Sequence, residues 1–280
     1  MAVAGDEIVE LDETFNIQIN PDGAGGTDSD LGGLSVTLGA AETVTITNDD
    51  SATISITVDA ADTDGDGNTN TLAETDGATS IPFTINSDAD VQTSGTGFTI
   101  RASLVEGTAT DATAITFIGD GDYDDASFEN TAWDGDSGSA IIPGSVAING
   151  ATIVELDETF DIQINPDGAG ATDSDLAGLN VALGGAETVT ITNDDSATLS
   201  INTASSLTET NAVTTHAFTV TSDADVQTNG TGFAVRVSQI DGALPGGATS
   251  GSAFVGDGDY VNTLIERTDW DGDSSAAVID

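Results

Sequence analysis

Residues 8–56 align with residues 153–201 at an offset of 145 without a gap, and 42 of the 49 positions are identical. A second match, at an offset of 135, carries Glu74 and Ser-Asp-Ala-Asp-Val-Gln-Thr at 87–93 onto Glu209 and residues 222–228. Gly-Asp-Gly-Asp-Tyr at 119–123 returns at 256–260, and Trp133-Asp-Gly-Asp returns at Trp270. The unit is therefore 135 to 145 residues long. A repeat of that length can bury a core of its own, so the pattern reads as domains in a string rather than stacked solenoid turns. Its phase divides the chain into a complete unit at 51–195, the closing part of a preceding unit at 1–50 and the opening part of a following one at 196–280.

Within the unit, apolar and polar residues alternate over Ala52-Thr-Ile-Ser-Ile-Thr-Val58, Ile81-Pro-Phe-Thr-Ile85, Phe98-Thr-Ile-Arg-Ala102, Phe160-Asp-Ile-Gln-Ile164 and Glu187-Thr-Val-Thr-Ile-Thr192. This period of two, filled with Val, Ile and Thr, is that of half-buried strands. Gly, Asp and Asn clusters punctuate the turns between them. No stretch of ten or more residues has helical periodicity. The expectation is an all-β chain, with about seven strands per unit packed as a two-sheet sandwich.

The chain carries 49 Asp and Glu against three basic residues, Arg101, Arg236 and Arg267, for a formal net charge of −46. Nucleic acid and anionic membrane would both repel it and are excluded as partners. The absence of cysteine removes disulfides, zinc–thiolate sites and thiol catalysis. With 38% apolar and only 19% charged residues, the chain can still build cores. The first residues show no basic n-region or apolar h-region, and no apolar run approaches the roughly 20 residues that span a bilayer. Either the chain is cytoplasmic or an export signal lies outside these residues; a cysteine-free composition rich in Thr, Ser, Asn and Gly fits the bacterial exterior.

The outward strand positions are mostly Thr, Ser, Asn and Gln. The acids gather instead in turns: Asp62-Thr-Asp-Gly-Asp-Gly67, residues 119–125, Asp134-Gly-Asp136, Glu155-Leu-Asp-Glu158 and Asn193-Asp-Asp195. Crowded carboxylates raise one another's pKa unless a cation sits among them. Calcium takes six to eight oxygen ligands from such loops, whereas softer metals find one histidine and no cysteine. Calcium is the expected cofactor; a purely solvating acidic coat of the halophile kind is the alternative.

The motif Glu155-Leu-Asp-Glu-Thr-Phe160, followed by Ala186-Glu-Thr-Val-Thr-Ile-Thr-Asn-Asp-Asp195, resembles the closing signature of a Calx-β domain. Glu74 with Asp76-Gly77, Glu106-Gly-Thr-Ala109 and Asp122-Tyr123 resemble that family's upstream motifs. The resemblance spans 51–195, with 1–50 and 196–280 as complementary parts. It implies tandem immunoglobulin-like sandwiches that bind calcium in loops at one end. The implied ligands in the complete unit are Glu74, Asp122, Glu155, Glu158, Asp194 and Asp195, with Asn193 as a further candidate. At the same positions of the partial units stand Glu209 and Asp259, and Glu10, Glu13, Asp49 and Asp50, while Asp6, in Gly5-Asp6-Glu7 opposite Ala151, is implied by the family's Asp pair before this motif. One segment departs from the family pattern: where an Asp pair is common, this chain has Asn149-Gly-Ala-Thr152. Fewer or weaker calcium ions are expected in the complete unit for that reason.

Several other signals are weighed against plain structural roles. Asp62, Asp64, Asp66 and Gly67 match the opening of an EF-hand-like loop, but its twelfth position is Ala73. Leu156 and Phe160 are expected to anchor the core, as are Trp133 and Trp270, for which sugar stacking is the alternative. His216 has Ile81 as its counterpart, and Asn229-Gly-Thr231 is a formal glycosylation triplet whose counterpart begins with Ser94. No nucleophile–base arrangement, phosphate loop or distinct acid pair emerges, so the chain reads as a non-enzyme. The functional expectation is a structural repeat of a secreted or cell-surface protein such as an adhesin, matrix or filament component. Its expected partners are adjacent repeats or copies of itself, arranged head to tail, with 1–50 complementing 196–280 of a neighbour. Surface glycans are the weaker alternative.

Overall fold

Along Ala52–Val58 the burial alternates strictly, with Ala52, Ile54, Ile56 and Val58 inside and the residues between them outward. The same rule organises the rest of the computed structural model. It describes residues 1–19, 34–59, 70–92, 97–112, 121–164, 176–204, 206–208, 210, 212, 214–227, 232–240, 260–261 and 263–279. The Asp62 loop, Glu209, Asp259 and the 229–231 triplet lie outside those residues. No helix occurs among the described residues.

The strands are β1 (Glu13–Ile17), β2 (Glu42–Ile46), β3 (Ala52–Val58), β4 (Thr71–Ala73), β5 (Thr79–Ser87), β6 (Phe98–Glu106), β7 (Phe128–Trp133), β8 (Ile142–Ile148), β9 (Ile153–Val154), β10 (Glu158–Ile164), β11 (Val181–Leu183) and β12 (Glu187–Thr192). After them come β13 (Leu199–Thr203), β14 (Phe218–Ser222), β15 (Asp225–Val226), β16 (Phe233–Val237) and β17 (Ile265–Trp270). Two large sheets, in the orders β4-β12-β10-β6-β7 and β11-β3-β5-β8, draw every strand from between Ala52 and Thr192. They contain nine strands rather than about seven. The surplus includes β4 and β11, three residues each, which are too short to show a period in sequence.

The sheets pack face to face as a sandwich. Ile54, Ile81 and Ile85 of one and Ile100, Phe160 and Ile162 of the other share a single core. Aromatic rings link the layers: Phe83 meets Phe128 edge-on at 4.8 Å, and Tyr123 stacks on Phe160 at 4.6 Å. Gly144 stands opposite Phe83 on the neighbouring strand, and any Cβ there would strike the Phe83 ring.

Residues 1–50 contribute the hairpin β1-β2, and the C-terminal part contributes the pairs β13-β14 and β16-β17. Both are held to the central sandwich by one repeated contact. Val9 bridges Val91 in parallel, with Val9 N donating to Asp90 O at 2.9 Å and Gln92 N donating to Val9 O at 2.8 Å. Further along, β9 pairs with β15 in parallel, and Gln227 N donates to Val154 O at 2.9 Å. Val9 and Val154 are repeat counterparts, as are Val91 and Val226.

Phe160, Trp133 and Trp270 are buried, as expected. Each indole N–H donates to a backbone carbonyl, Asp136 O or Asp273 O, so neither ring is offered to a sugar. Leu156 is a correction: it is 72% exposed. It lies in the bend before β10, beside the joint rather than above the core. Its counterpart Leu11 approaches to 3.2 Å of where a Cβ on Gly178 would sit, and Gly178 has a φ of +88°. Leu11 therefore rests on the central unit beside Gly178.

Candidate metal centre

Four chain segments converge at one end of the five-stranded sheet because of how β4, β10 and β12 are paired. Strand β4 runs parallel to β12 with Ala73 beside Thr192, which delivers Glu74 and Asn193 to the same level. Strand β10 begins with Glu158 opposite Ile191, so 155–157 turn in beside them. Asp122 arrives from the loop before Tyr123, whose burial against Phe160 fixes that loop. Burial and the surrounding acids, Glu106 foremost, push the Tyr123 phenol up to about 12.

Asp122, Glu155 and Glu158 each bring a carboxylate oxygen to within 4.8 Å of the others. Oxygens across one calcium ion stand about 4.6–5.2 Å apart, from bond lengths of about 2.3–2.6 Å. Glu74, only 3% exposed, borders the group. Burial raises its pKa, against the opposing hydrogen bonds from Glu155 and the Ala151 backbone, and the charges of Asp122 and Asp195 add to the rise. Glu155 is pushed up to about 9, first by burial, then by the hydrogen bond to Glu74 and by the charges of Glu74, Asp122 and Glu158. Asp195 is raised by burial and by Asp194 and Asp76.

Backbone groups aim these carboxylates but do not neutralise them. Thr110 N donates to Asp122 Oδ2 at 2.6 Å, and Ala151 N donates to Glu74 Oε1 at 2.7 Å. The Gly-Thr-Ala motif sets the first of these: Thr108 Oγ1 accepts from Thr159 N, and Ala109 N donates to Thr159 O. The second explains the departure at 149–152. Gly150 packs so closely on the Thr75 carbonyl that a Cβ would overlap it. The Asn149 side chain donates to Gly121 O and Asp124 Oδ1. The segment supplies no carboxylate of its own and braces Glu74 and Asp122 instead.

Among the described residues, Glu155 Oε2 and Asp195 Oδ2 are buried carboxylate oxygens with no hydrogen-bond partner. Such atoms are costly unless something satisfies them. No protein cation does. Arg101 pairs with Glu129, Arg236 with Glu266 and Arg267 with Asp269, while His216 Nε2 lies 2.6 Å from Thr203 Oγ1. The donor set is all hard oxygen, which suits a hard cation such as calcium, and Asp122, Glu155 and Glu158 are placed so that they could hold a metal ion.

The remaining candidates fall differently. Asn193 Oδ1 accepts from Glu155 N and Asp195 N, and its Nδ2 donates to Asp195 O, so it organises the turn. Asp194 is exposed beside it. In the N-terminal part, Glu10 is raised by burial and by Glu13, Asp6 and Asp50; Asp50 is raised by burial and by Asp49, Asp6 and Glu7. Those acids gather too, but Glu13 is exposed where its counterpart Glu158 is buried.

Other loop acids are spent on backbone donors. Asp88 Oδ1 accepts from Thr53 N, Asp90 Oδ1 from Ser137 N and Oγ, and Asp136 Oδ1 from Gly138 N. The hydrogen bonds from Ser137 hold Asp90 below its ordinary value. The repeated Ser-Asp-Ala-Asp and Trp-Asp-Gly-Asp motifs are thus turn-builders, a role their composition alone does not reveal.

The fold and site define the class: an all-β chain with a two-sheet sandwich that carries a buried, uncompensated carboxylate cluster at one end. No protein-family model matches the chain, and no curated protein does. Among solved structures it is similar to the Calx CBD1 domain in its apo form, at 18% identity over 51% of this chain and 98% of that one, with a TM-score of 0.30. It is also similar to CBD12 from CALX1.2, at 17% identity over 75% of this chain and 71% of that one, with a TM-score of 0.27. Both TM-scores are low, and the fold and site stand on this chain's own strands and side chains.

Proposed function

We propose that this chain is a calcium-stiffened structural repeat of a secreted or cell-surface bacterial protein, of the Calx-β type, working head to tail with neighbouring units. The observation that carries this reading is the pair of buried, unpartnered oxygens on Glu155 and Asp195, in a cluster that no arginine reaches. A divalent ion satisfies both atoms and removes the mutual repulsion of five carboxylates.

The site's position turns that binding into stiffness. Glu155 follows β9 directly, and β9 is the strand that pairs with β15 of the next unit. Asp195 leads into β13 through residues 196–198, too short a stretch for a flexible linker. An ion holding Glu155 and Asp195 therefore fixes both chain crossings of one joint. An acidic, lysine-free surface keeps such a rod soluble and away from nucleic acid and anionic lipid.

Thermal unfolding tests the reading. Excess chelator is expected to lower the melting temperature markedly, and calcium to restore it where equimolar-charge sodium chloride does not. Equal rescue by sodium would assign the acids to a solvating coat and overturn the proposal.

A further inference from the structure

We propose that the central sandwich is a tension-bearing module whose entry and exit strands are clasped to each other, so that a pull along the string loads their hydrogen bonds in shear. The proposal rests on the reading of the chain as a structural repeat and goes beyond it by naming the strands that carry the load.

The registers place chain entry and exit at opposite ends of the sandwich. Asn149 N, directly after β8, donates to Asp122 O at 2.9 Å, so β8 finishes at the end that holds the carboxylates. Ile148 of β8 pairs with Thr79, which starts β5 at that same end. The nine-residue β5 finishes at the far end, where Ser87 pairs with Ile54 near the start of β3. The chain therefore enters the unit far from the carboxylates. It leaves beside them, because β12 finishes at Thr192 and Asn193 stands level with Glu74. Tension on the residues before Ser51 and after Asp195 thus acts along the strands and in opposite senses.

The two segments that receive this load hold each other. Strand β4, next in the chain after β3, pairs with β12, and β11, next before β12, pairs with β3. Both pairs are parallel, whereas the other pairings within the two large sheets are antiparallel. This reciprocal clasp gives the three-residue strands β4 and β11 a purpose. They turn β3 and β12 from edges into inner strands, bonded on both sides. Gly184 N donates to Ile54 O at 2.7 Å and Ala52 N to Asn180 O at 3.1 Å at the ends of one pair. Glu74 N donates to Thr192 O at 2.8 Å and Thr190 N to Asn70 O at 2.9 Å in the other. Bonds in a parallel pair are evenly spaced along the strands, so opposite axial pulls stretch them together. A pull that parts the strands from one end breaks them singly. Ala52, Thr71 and Leu72 are buried, which keeps water from replacing the bonds as they lengthen.

Single-molecule pulling of the full chain tests the proposal, and the absence of cysteine lets engineered thiols set where force is applied. Ser51, Thr75 and Ser196 are exposed, so their cysteine variants are expected to melt as the parent does. Handles on Ser51→Cys with Ser196→Cys load the clasp along its strands. Handles on Thr75→Cys with Ser196→Cys part β4 from β12 at their common end. In chelator and at one loading rate, the first variant is expected to hold to roughly twofold or more the rupture force of the second. Equal forces, or a lower force for the first, would overturn the proposal. Calcium added afterwards reads the metal centre separately, so failure of the calcium reading leaves the comparison in chelator standing.

Discussion

Val226 stands to Val154 as Val91 stands to Val9, in a parallel contact sealed by a hydrogen bond from the following glutamine, Gln227 or Gln92, to the valine carbonyl. One joint is thus built twice in the same chain. Around the first copy, Asn180 Nδ2 donates to Asp50 O and Ala52 N donates to Asn180 O, tying the chain crossing to the sandwich beyond it. On the proposed reading, this contact is what holds neighbouring units in a fixed relation.

Replacing Gln227 by proline removes the donor to Val154 O, a net loss of about 0.5–1.5 kcal/mol at the joint. Small-angle scattering of the full chain is expected to show a broader distance distribution, with the main melting transition unchanged. An unaltered distribution would mean that the β9–β15 contact does not fix the units.

Glu155→Gln is expected to act in opposite directions with and without metal. It replaces a carboxyl that must take up a proton to be buried with a permanently neutral amide, so the metal-free chain gains stability near neutral pH, by roughly 2–4 °C in melting temperature for each kcal/mol. It also removes a calcium ligand, so stabilisation by calcium falls. Paired melting curves in chelator and in calcium check both signs.

The pH dependence of the metal-free chain follows from the same residue. Glu155 is raised from 4.5 to about 9 in the folded state, so folding favours its protonated form. That contribution is complete below the ordinary carboxylate range and is lost as pH rises toward 9. The metal-free chain is therefore expected to lose this part of its stability between about pH 5 and pH 9, and calcium to reverse the trend. Calcium binding near pH 7 should also release protons. Calorimetry in buffers of different ionisation enthalpy measures that release directly.

Gly150 offers a test of the bracing segment. An added methyl would overlap the Thr75 carbonyl and displace the Ala151 N–H that holds Glu74. Gly150→Ala is expected to cost about 1–3 kcal/mol, as overpacking does, and to weaken calcium binding. Gly39→Ala, with nothing within 4 Å of the new methyl, should do neither.

Much of the fold was legible because it is local: the strict alternation over 52–58 and the gapless repeat are properties of the sequence itself. The candidate ligands Glu74, Asp122, Glu155 and Asp195 were legible through resemblance to a family motif. Their convergence depends on pairings such as Ala73 beside Thr192, which no local pattern encodes. Strand β9 is two residues long, too short to announce itself, so its pairing with β15 could not be read. For the same reason Leu156 was assigned to the core, although its place beside the joint leaves it exposed. Nor does sequence separate Asp90, which accepts from Ser137, from Asp195, which has an oxygen with no partner.

Calorimetric titration of calcium into the metal-stripped full chain tests the central claim most directly. Saturable uptake is expected at or below about 0.1–1 mM, the range of extracellular calcium modules, and it should be lost from the central site in Asp122→Asn. No uptake at millimolar calcium would contradict the claim that a shared divalent ion holds Glu74, Asp122, Glu155, Glu158 and Asp195 together.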